Sequence, residues 1–329
     1  MPQPLTNGQV LRERYKIRER IGQGGTGSIY LADDLRLEGR MCALKEVEYD
    51  RVLQPDILEQ AREQFFREAT VLARLDHPNL PKVSDFFTFN QRDYLVMDFV
   101  PGNDLREYML EARRAKSFLS EKEVLRWAVQ LADALNYLHR QEPPIIHRDI
   151  KPSNLKLTPS GLLKLVDFGL VKILAPDEVT ITVIQGQGTA LYTPLEQYGG
   201  DDAHTDVRAD IFSFGATLYH LLTNESPAEA RKRFLDINSL KSPREINPEI
   251  SEHVERAVLW AMSLHPDNRP QNVVDFKNAL LGNLDLNFPT DARPENGETR
   301  VNQEGMVDQI LTYAGIGLFL TGLIVTLAR

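Results

Sequence analysis

The chain has 329 residues, with 38 basic and 47 acidic side chains and a formal net charge of −9. No broad basic stripe stands out, so nucleic acid is not an expected partner. Cys42 is the single cysteine, which excludes an intramolecular disulfide and fits a reducing compartment.

Residues 1–14 begin Met1-Pro2-Gln3-Pro4, lack an apolar stretch and read as an N-terminal tail without a secretory signal. From residue 15 to 99 the pattern is strands with one helix. Tyr15-Lys16-Ile17 and Ser28-Ile29-Tyr30-Leu31 flank a glycine-rich turn, which predicts a hairpin. Met41–Val47 reads as a third strand, with Cys42 as a small core residue. The spacing turns helical over 57–75, with Phe65, Ala69 and Leu72 on one face, and His77-Pro78-Asn79 ends that element. Phe86-Phe87 and Tyr94-Leu95-Val96-Met97 predict two more strands, and Pro101-Gly102 marks a boundary.

Helices dominate over 100–281. Residues 124–139 form an apolar run that predicts a buried core helix, and 210–223, 253–264 and 272–281 predict three more. Residues 282–309 are polar, contain Pro289, Pro294, Gly297 and Gly305, and read as a flexible linker. Residues 310–328 carry no charge. As a helix they would be about 29 Å long, close to the hydrocarbon thickness of a bilayer. A membrane span is therefore expected, against the alternative of a buried helix closing the domain. Gly315, Gly317 and Gly322 would let two such helices approach, although no Gly-xxx-Gly is present; a homodimer is a secondary expectation.

Three stretches carry chemistry. Gly22, Gly24 and Gly27 have the G-x-G-x-x-G spacing, which lets backbone N–H groups approach phosphate oxygens. Dinucleotide-binding folds share that spacing but place it between a strand and a helix; here a strand follows, which favours a hairpin lid over a nucleotide. Lys45 lies on an apolar strand and needs a partner there. Glu68 on the predicted helix is the preferred carboxylate, with Glu63 and Glu59 as alternatives. Finally, His147-Arg148-Asp149-Ile150-Lys151-Pro152-Ser153-Asn154, followed by Asp167-Phe168-Gly169, gathers a base, a phosphate-neutralising lysine and two metal-binding side chains. Phosphoryl transfer needs these parts in one cleft.

Together these residues resemble the protein-kinase signature. The similarity covers 15–281 and is strongest to the eukaryotic-like serine/threonine kinases of bacteria. The resemblance implies an α+β, two-lobed fold, with an N-lobe of small antiparallel sheet and one helix at 15–99 and a mostly helical C-lobe at 100–281. It implies ATP and Mg²⁺ as cofactors and proteins with serine or threonine as substrates. Asp149 would orient the acceptor hydroxyl and take its proton, Lys151 would neutralise the γ-phosphate, and Asn154 and Asp167 would hold Mg²⁺. Lys45 would bind the α- and β-phosphates. The backbone of Asp98 and Val100 would bind adenine beside Met97 as gatekeeper, with Ile21, Ile29 and Ala43 around the nucleotide. His147 and Phe168 are expected to be structural.

The resemblance also implies that Thr189 docks substrate, Glu196 and Arg269 form a buried ion pair, and Asp210 anchors the catalytic loop. Arg148 would pair with phosphate on the activation loop, where Thr180 and Thr182 are the candidates. Two positions depart from the pattern. Pro194-Leu195-Glu196 stands for Ala-Pro-Glu, and Lys156 replaces the apolar residue beneath adenine. The expected location is the cell membrane, with a single span, the catalytic lobes cytoplasmic and no extracytoplasmic sensor domain.

Overall fold

The computed structural model describes residues 4–24, 27–47, 49, 55–167, 172–173, 190–198 and 205–284. The glycine-rich turn joins two long strands, β2 (Tyr15–Gly24) and β3 (Gly27–Asp34), after a short β1 (Val10–Leu11). β4 (Met41–Val47) follows, then helix α1 (Pro55–Leu72) and strands β5 (Val83–Phe89) and β6 (Arg92–Asp98). The strands form one antiparallel sheet in the order β1-β2-β3-β4-β6-β5.

Alternation along β4 gives the sheet two buried faces. Cys42 and Leu44 join Tyr30, Tyr94 and Val96 on one side, whereas Ala43 joins Leu95, Met97 and the α1 residues Ala69 and Leu72 on the other. Burial pushes the Cys42 thiol up to about 12, as suits a core residue rather than a reactive one. Leu11 is completely buried in the first of these clusters. The end of the expected tail is thus part of the sheet: β1 pairs Val10 with Lys16 and Leu11 with Tyr15, covering apolar surface that the sheet would otherwise expose.

The helical lobe starts at α2 (Leu105–Arg114), which the apolar pattern did not reveal. Asp104 caps it by accepting the Glu107 N–H, and Glu107 accepts the Asp104 N–H in return. α3 (Glu121–His139) is capped by Ser120 and buries Val124, Trp127, Leu131, Leu135 and Leu138. Four short strands follow: β7 (Ile145–Ile146), β8 (Leu155–Leu157), β9 (Leu163–Leu165) and β10 (Lys172–Ile173). β8 pairs with β9, and β10 with β7.

α4 (Val207–Thr223) is buried nearly all round and packs against α3 and α7. Around it lie α5 (Ala230–Leu235), α6 (Pro243–Ile246), α7 (Glu252–Ala261) and α8 (Val273–Leu280). The lobes are stitched at Asn79, whose Nδ2 donates to the Leu163 carbonyl at 2.7 Å and whose own carbonyl accepts from Leu165 N at 2.9 Å. At the boundary, Gly102 has φ of 99°, and a Cβ there would run into the Leu157 carbonyl oxygen. Only glycine fits that approach.

Among the described residues no helix is long and apolar enough to cross a membrane. The expected span at 310–328 and all but the first residues of the expected linker at 282–309 lie outside the described residues.

Candidate active site

The site is built where the sheet meets the short strands of the helical lobe. Asp149 is held by its own loop. Lys151 Nζ donates to both of its carboxylate oxygens, at 2.9 and 2.8 Å, and Asn154 Nδ2 donates to Oδ2 and to the Asp149 carbonyl, both at 2.8 Å. Asn154 has spent its amide donors inward, and its Oδ1 remains an acceptor.

Beneath the loop, fully buried Asp210 accepts the backbone N–H of His147 at 2.9 Å and of Arg148 at 2.8 Å, and bonds His139 Nε2 at 2.9 Å. Burial opposes its charge, but His139, His147 and these amides prevail and its carboxyl is held below the usual range. The anchoring has a conformational purpose. Arg148 has φ of 66°, a left-handed geometry costly for a side-chain-bearing residue, and Asp167 has φ of 68°. Two amides clamped to one buried carboxylate hold the first of these turns in place.

Lys45 is buried on β4, opposite Ile29 of β3 and Leu95 of β6. Its ammonium bonds Asp167, joining the two lobes. Burial raises the Asp167 carboxyl, yet Lys45, with Lys151 and His147 adding to it, holds it below its ordinary value. The expected partner Glu68 is placed otherwise. Its carboxylate accepts from Gln64 Nε2 at 3.0 Å, one helical turn back on α1, and among the described residues no ion pair joins it to Lys45. The Lys45 ammonium is taken by the Asp167 carboxylate of the other lobe.

The wall expected to face the nucleotide is assembled from several strands. Ala43 faces Met97 across β4 and β6, both buried, and Gly22 lies opposite Ile29. Ile21 is exposed on β2. Asp98 donates its N–H to the Lys82 carbonyl at 3.0 Å, and Val100 is buried just beyond it. Lys156 does not turn fully into water: its ammonium lies 5.8 Å from the centre of the Phe99 ring.

Glu196 and Arg269 meet as expected, at 2.6 and 3.0 Å in a two-pronged pair. Thr180, Thr182, Thr189, Phe168 and Gly169 lie outside the described residues. Sequence reasoning missed His139 and Asn79, and also His220 and Ser213, which hold Tyr192 through its hydroxyl at 2.6 Å and its carbonyl at 2.8 Å. Asn79 was visible only as a helix stop.

A protein kinase domain model matches residues 15–280. The chain belongs to the protein kinase family. Its relatives include a probable serine/threonine-protein kinase PknB of Lactococcus lactis, 33% identical over 286 residues, which cover 85% of this chain and 43% of that protein. The serine/threonine-protein kinase PrkC of Bacillus subtilis is 30% identical over 275 residues, covering 82% and 40%. The chain thus spans less than half the length of these relatives. Among solved structures, the PknI kinase domain of Mycobacterium tuberculosis superposes with a TM-score of 0.64 at 26% identity, covering 85% of this chain and 99% of that one. The two-lobed kinase fold is therefore the architecture of this chain.

Proposed function

We propose that this protein is a serine/threonine protein kinase that moves the γ-phosphate of ATP to protein hydroxyls. The observation that carries the reading is the convergence of the Lys45–Asp167 pair with Asp149, Lys151 and Asn154, drawn from both lobes onto one site of two carboxylates and two ammonium groups. Asp149 accepts and aims the substrate hydroxyl. Lys151, already on that carboxylate, reaches the transferring phosphoryl group. Lys45 exchanges Asp167 for the α- and β-phosphates. Backbone N–H groups of Gly22, Gly24 and Gly27 cover the phosphates, and Asp98 and Val100 hold adenine through their backbones, with Met97 behind and Ile21, Ile29 and Ala43 enclosing it.

Mg²⁺ fits the donors present. The Asn154 carbonyl oxygen and the Asp167 carboxylate are hard oxygens, few in number, as suits a cation that retains water and binds phosphate. When bound, it neutralises charge on the phosphates.

Thr189 docks the acceptor, the Glu196–Arg269 pair braces that segment, and Asp210 fixes the loop bearing Asp149. Arg148 receives a phosphate placed on Thr180 or Thr182 by autophosphorylation. Residues 310–328 tether the protein to the cell membrane with the lobes on the cytoplasmic side, where ATP is, and Gly315, Gly317 and Gly322 supply a surface for a second copy. Deleting 310–328 should move the protein from the membrane to the soluble fraction; retention at the membrane would remove the tether.

The full chain with labelled ATP and Mg²⁺ should acquire phosphoserine or phosphothreonine and label a generic protein substrate. Lys45→Met should reduce labelling by about 10²–10³-fold, the range for losing one preorganised charge contact. Peptide mapping of the labelled protein should find phosphate on Thr180 or Thr182. A folded protein that neither binds magnesium-ATP nor labels any hydroxyl would overturn the kinase reading; unmodified Thr180 and Thr182 would overturn only the autophosphorylation.

A further inference from the structure

The short turn Ala190–Tyr192, which follows Thr189, is fixed from three sides. Tyr192 bonds His220 Nδ1 through its hydroxyl at 2.6 Å, Ser213 Oγ donates to its carbonyl at 2.8 Å, and Tyr198 Oη donates to the Ala190 carbonyl at 3.0 Å. His220 is neutral at physiological pH: burial pushes its imidazole down to about 4, and Arg113 and Arg106 act in the same direction. The anchor under the turn therefore carries no charge, and the charge around it comes from elsewhere.

That charge is positive. Arg106 and Arg113 are seven residues apart on α2, two helical turns, so they share one face; both act on His220 of α4, and Arg106 also acts on Tyr192. Arg231 at the start of α5 lies with its guanidinium 4.0 Å from the centre of the Tyr198 ring. All three are exposed, and none is ion-paired among the described residues. The neighbouring acids are differently placed. Glu107 turns back to the Asp104 N–H, Asp104 is half-buried as the helix cap, and Glu111 falls about a third of a turn or more around α2 from the arginine pair. Glu229 is the opposing carboxylate here: it is exposed two residues before Arg231 and acts on the Tyr198 hydroxyl ahead of that arginine, which leaves the three arginines in excess. In a chain of net charge −9, three exposed arginines around one docking turn are a local reversal of sign.

We propose that this arginine-ringed turn selects peptide substrates carrying carboxylate side chains next to the acceptor hydroxyl. The proposal rests on the kinase reading and deepens it. Opposite charges steer encounter and register, and a like-charged peptide is rejected by the same residues. The chain contains a sequence of the matching chemistry: Asp177 and Glu178 stand three and two residues before Thr180.

The test uses the full chain and a peptide with the sequence of residues 175–184, together with versions carrying Asp177→Asn with Glu178→Gln, or Lys at both positions. The acidic peptide should show kcat/KM about tenfold above the neutral one, expressed in KM, lost progressively with salt, and higher still above the lysine peptide. Arg106→Gln with Arg113→Gln should flatten that preference while the KM for ATP and the Tm stay put. Arg106→Glu with Arg113→Glu should transfer the preference to the lysine peptide, a gain that a misfolded variant would not show. Equal use of the three peptides by the unaltered protein, or a preference that survives the glutamine pair, overturns the proposal. If a generic protein substrate is labelled at the same time, the kinase reading stands; if nothing is labelled, both fall.

Discussion

Asp149→Asn is expected to lower kcat for phosphoryl transfer by about 10²–10⁴-fold, the usual loss on removing a positioned proton acceptor. The substitution keeps the volume but leaves one acceptor oxygen where the structure uses two, and places an amide group against donors. Lys151 Nζ spans both oxygens at 2.9 and 2.8 Å, and Asn154 Nδ2 takes Oδ2 at 2.8 Å. One of these donors must turn away. Lys151 is about a fifth exposed, at 21%, so its ammonium can turn to water. The Tm should therefore fall by only a few degrees. Single-turnover kinetics with saturating ATP would separate the chemical step from binding. A fall in kcat of less than tenfold would take the proton-accepting role away from Asp149.

Much of this site can be read from residue order because its chemistry is local. Asp149, Lys151 and Asn154 sit within six positions, and one loop brings them together. The strand Met41–Val47 and the helix through Trp127 and Leu135 were legible for a related reason: a period of two or of 3.6 records which face is buried. The illegible parts depend on partners distant in sequence. β1 is two residues long, too short for any periodicity, and exists because Tyr30, Tyr94 and Val96 need a cover. α2 left no periodic trace, since its buried side chains, Leu105 and Met109, are few. The Lys45 partner could not be settled from composition of the helix. Glu68, Glu63 and Glu59 were all candidates, and the structure gives the ammonium to Asp167, 122 residues away. Likewise His139 becomes visible as part of the site only once α4 brings Asp210 beneath the loop.

Arg269→Met should be the most destabilising single change in the helical lobe. Arg269 is 1% exposed, and its guanidinium uses all five of its N–H donors. Nε donates to the Ser263 carbonyl at 2.7 Å; Nη1 donates to Glu196 Oε1 at 2.6 Å and the Arg208 carbonyl at 3.2 Å; Nη2 donates to Glu196 Oε2 at 3.0 Å and the Leu264 carbonyl at 2.9 Å. The charge also lies 4.9 Å from the centre of the Phe212 ring. Methionine fills much of the volume but strands the Glu196 carboxylate, itself 10% exposed, with three carbonyls around an apolar chain. Removing one partner of a buried pair costs about 3–5 kcal/mol, and the Tm should fall by roughly 2–3 °C for each of these. Glu196→Leu combined with Arg269→Met removes the stranded carboxylate and should recover part of the loss, a non-additivity that denaturant titration of the single and double variants would measure. The recovery will be incomplete, because the Ser263, Arg208 and Leu264 carbonyls still lack their donor. A single-variant loss below about 1 kcal/mol, within the range of an exposed pair, would show that the pair does not brace the segment around Glu196.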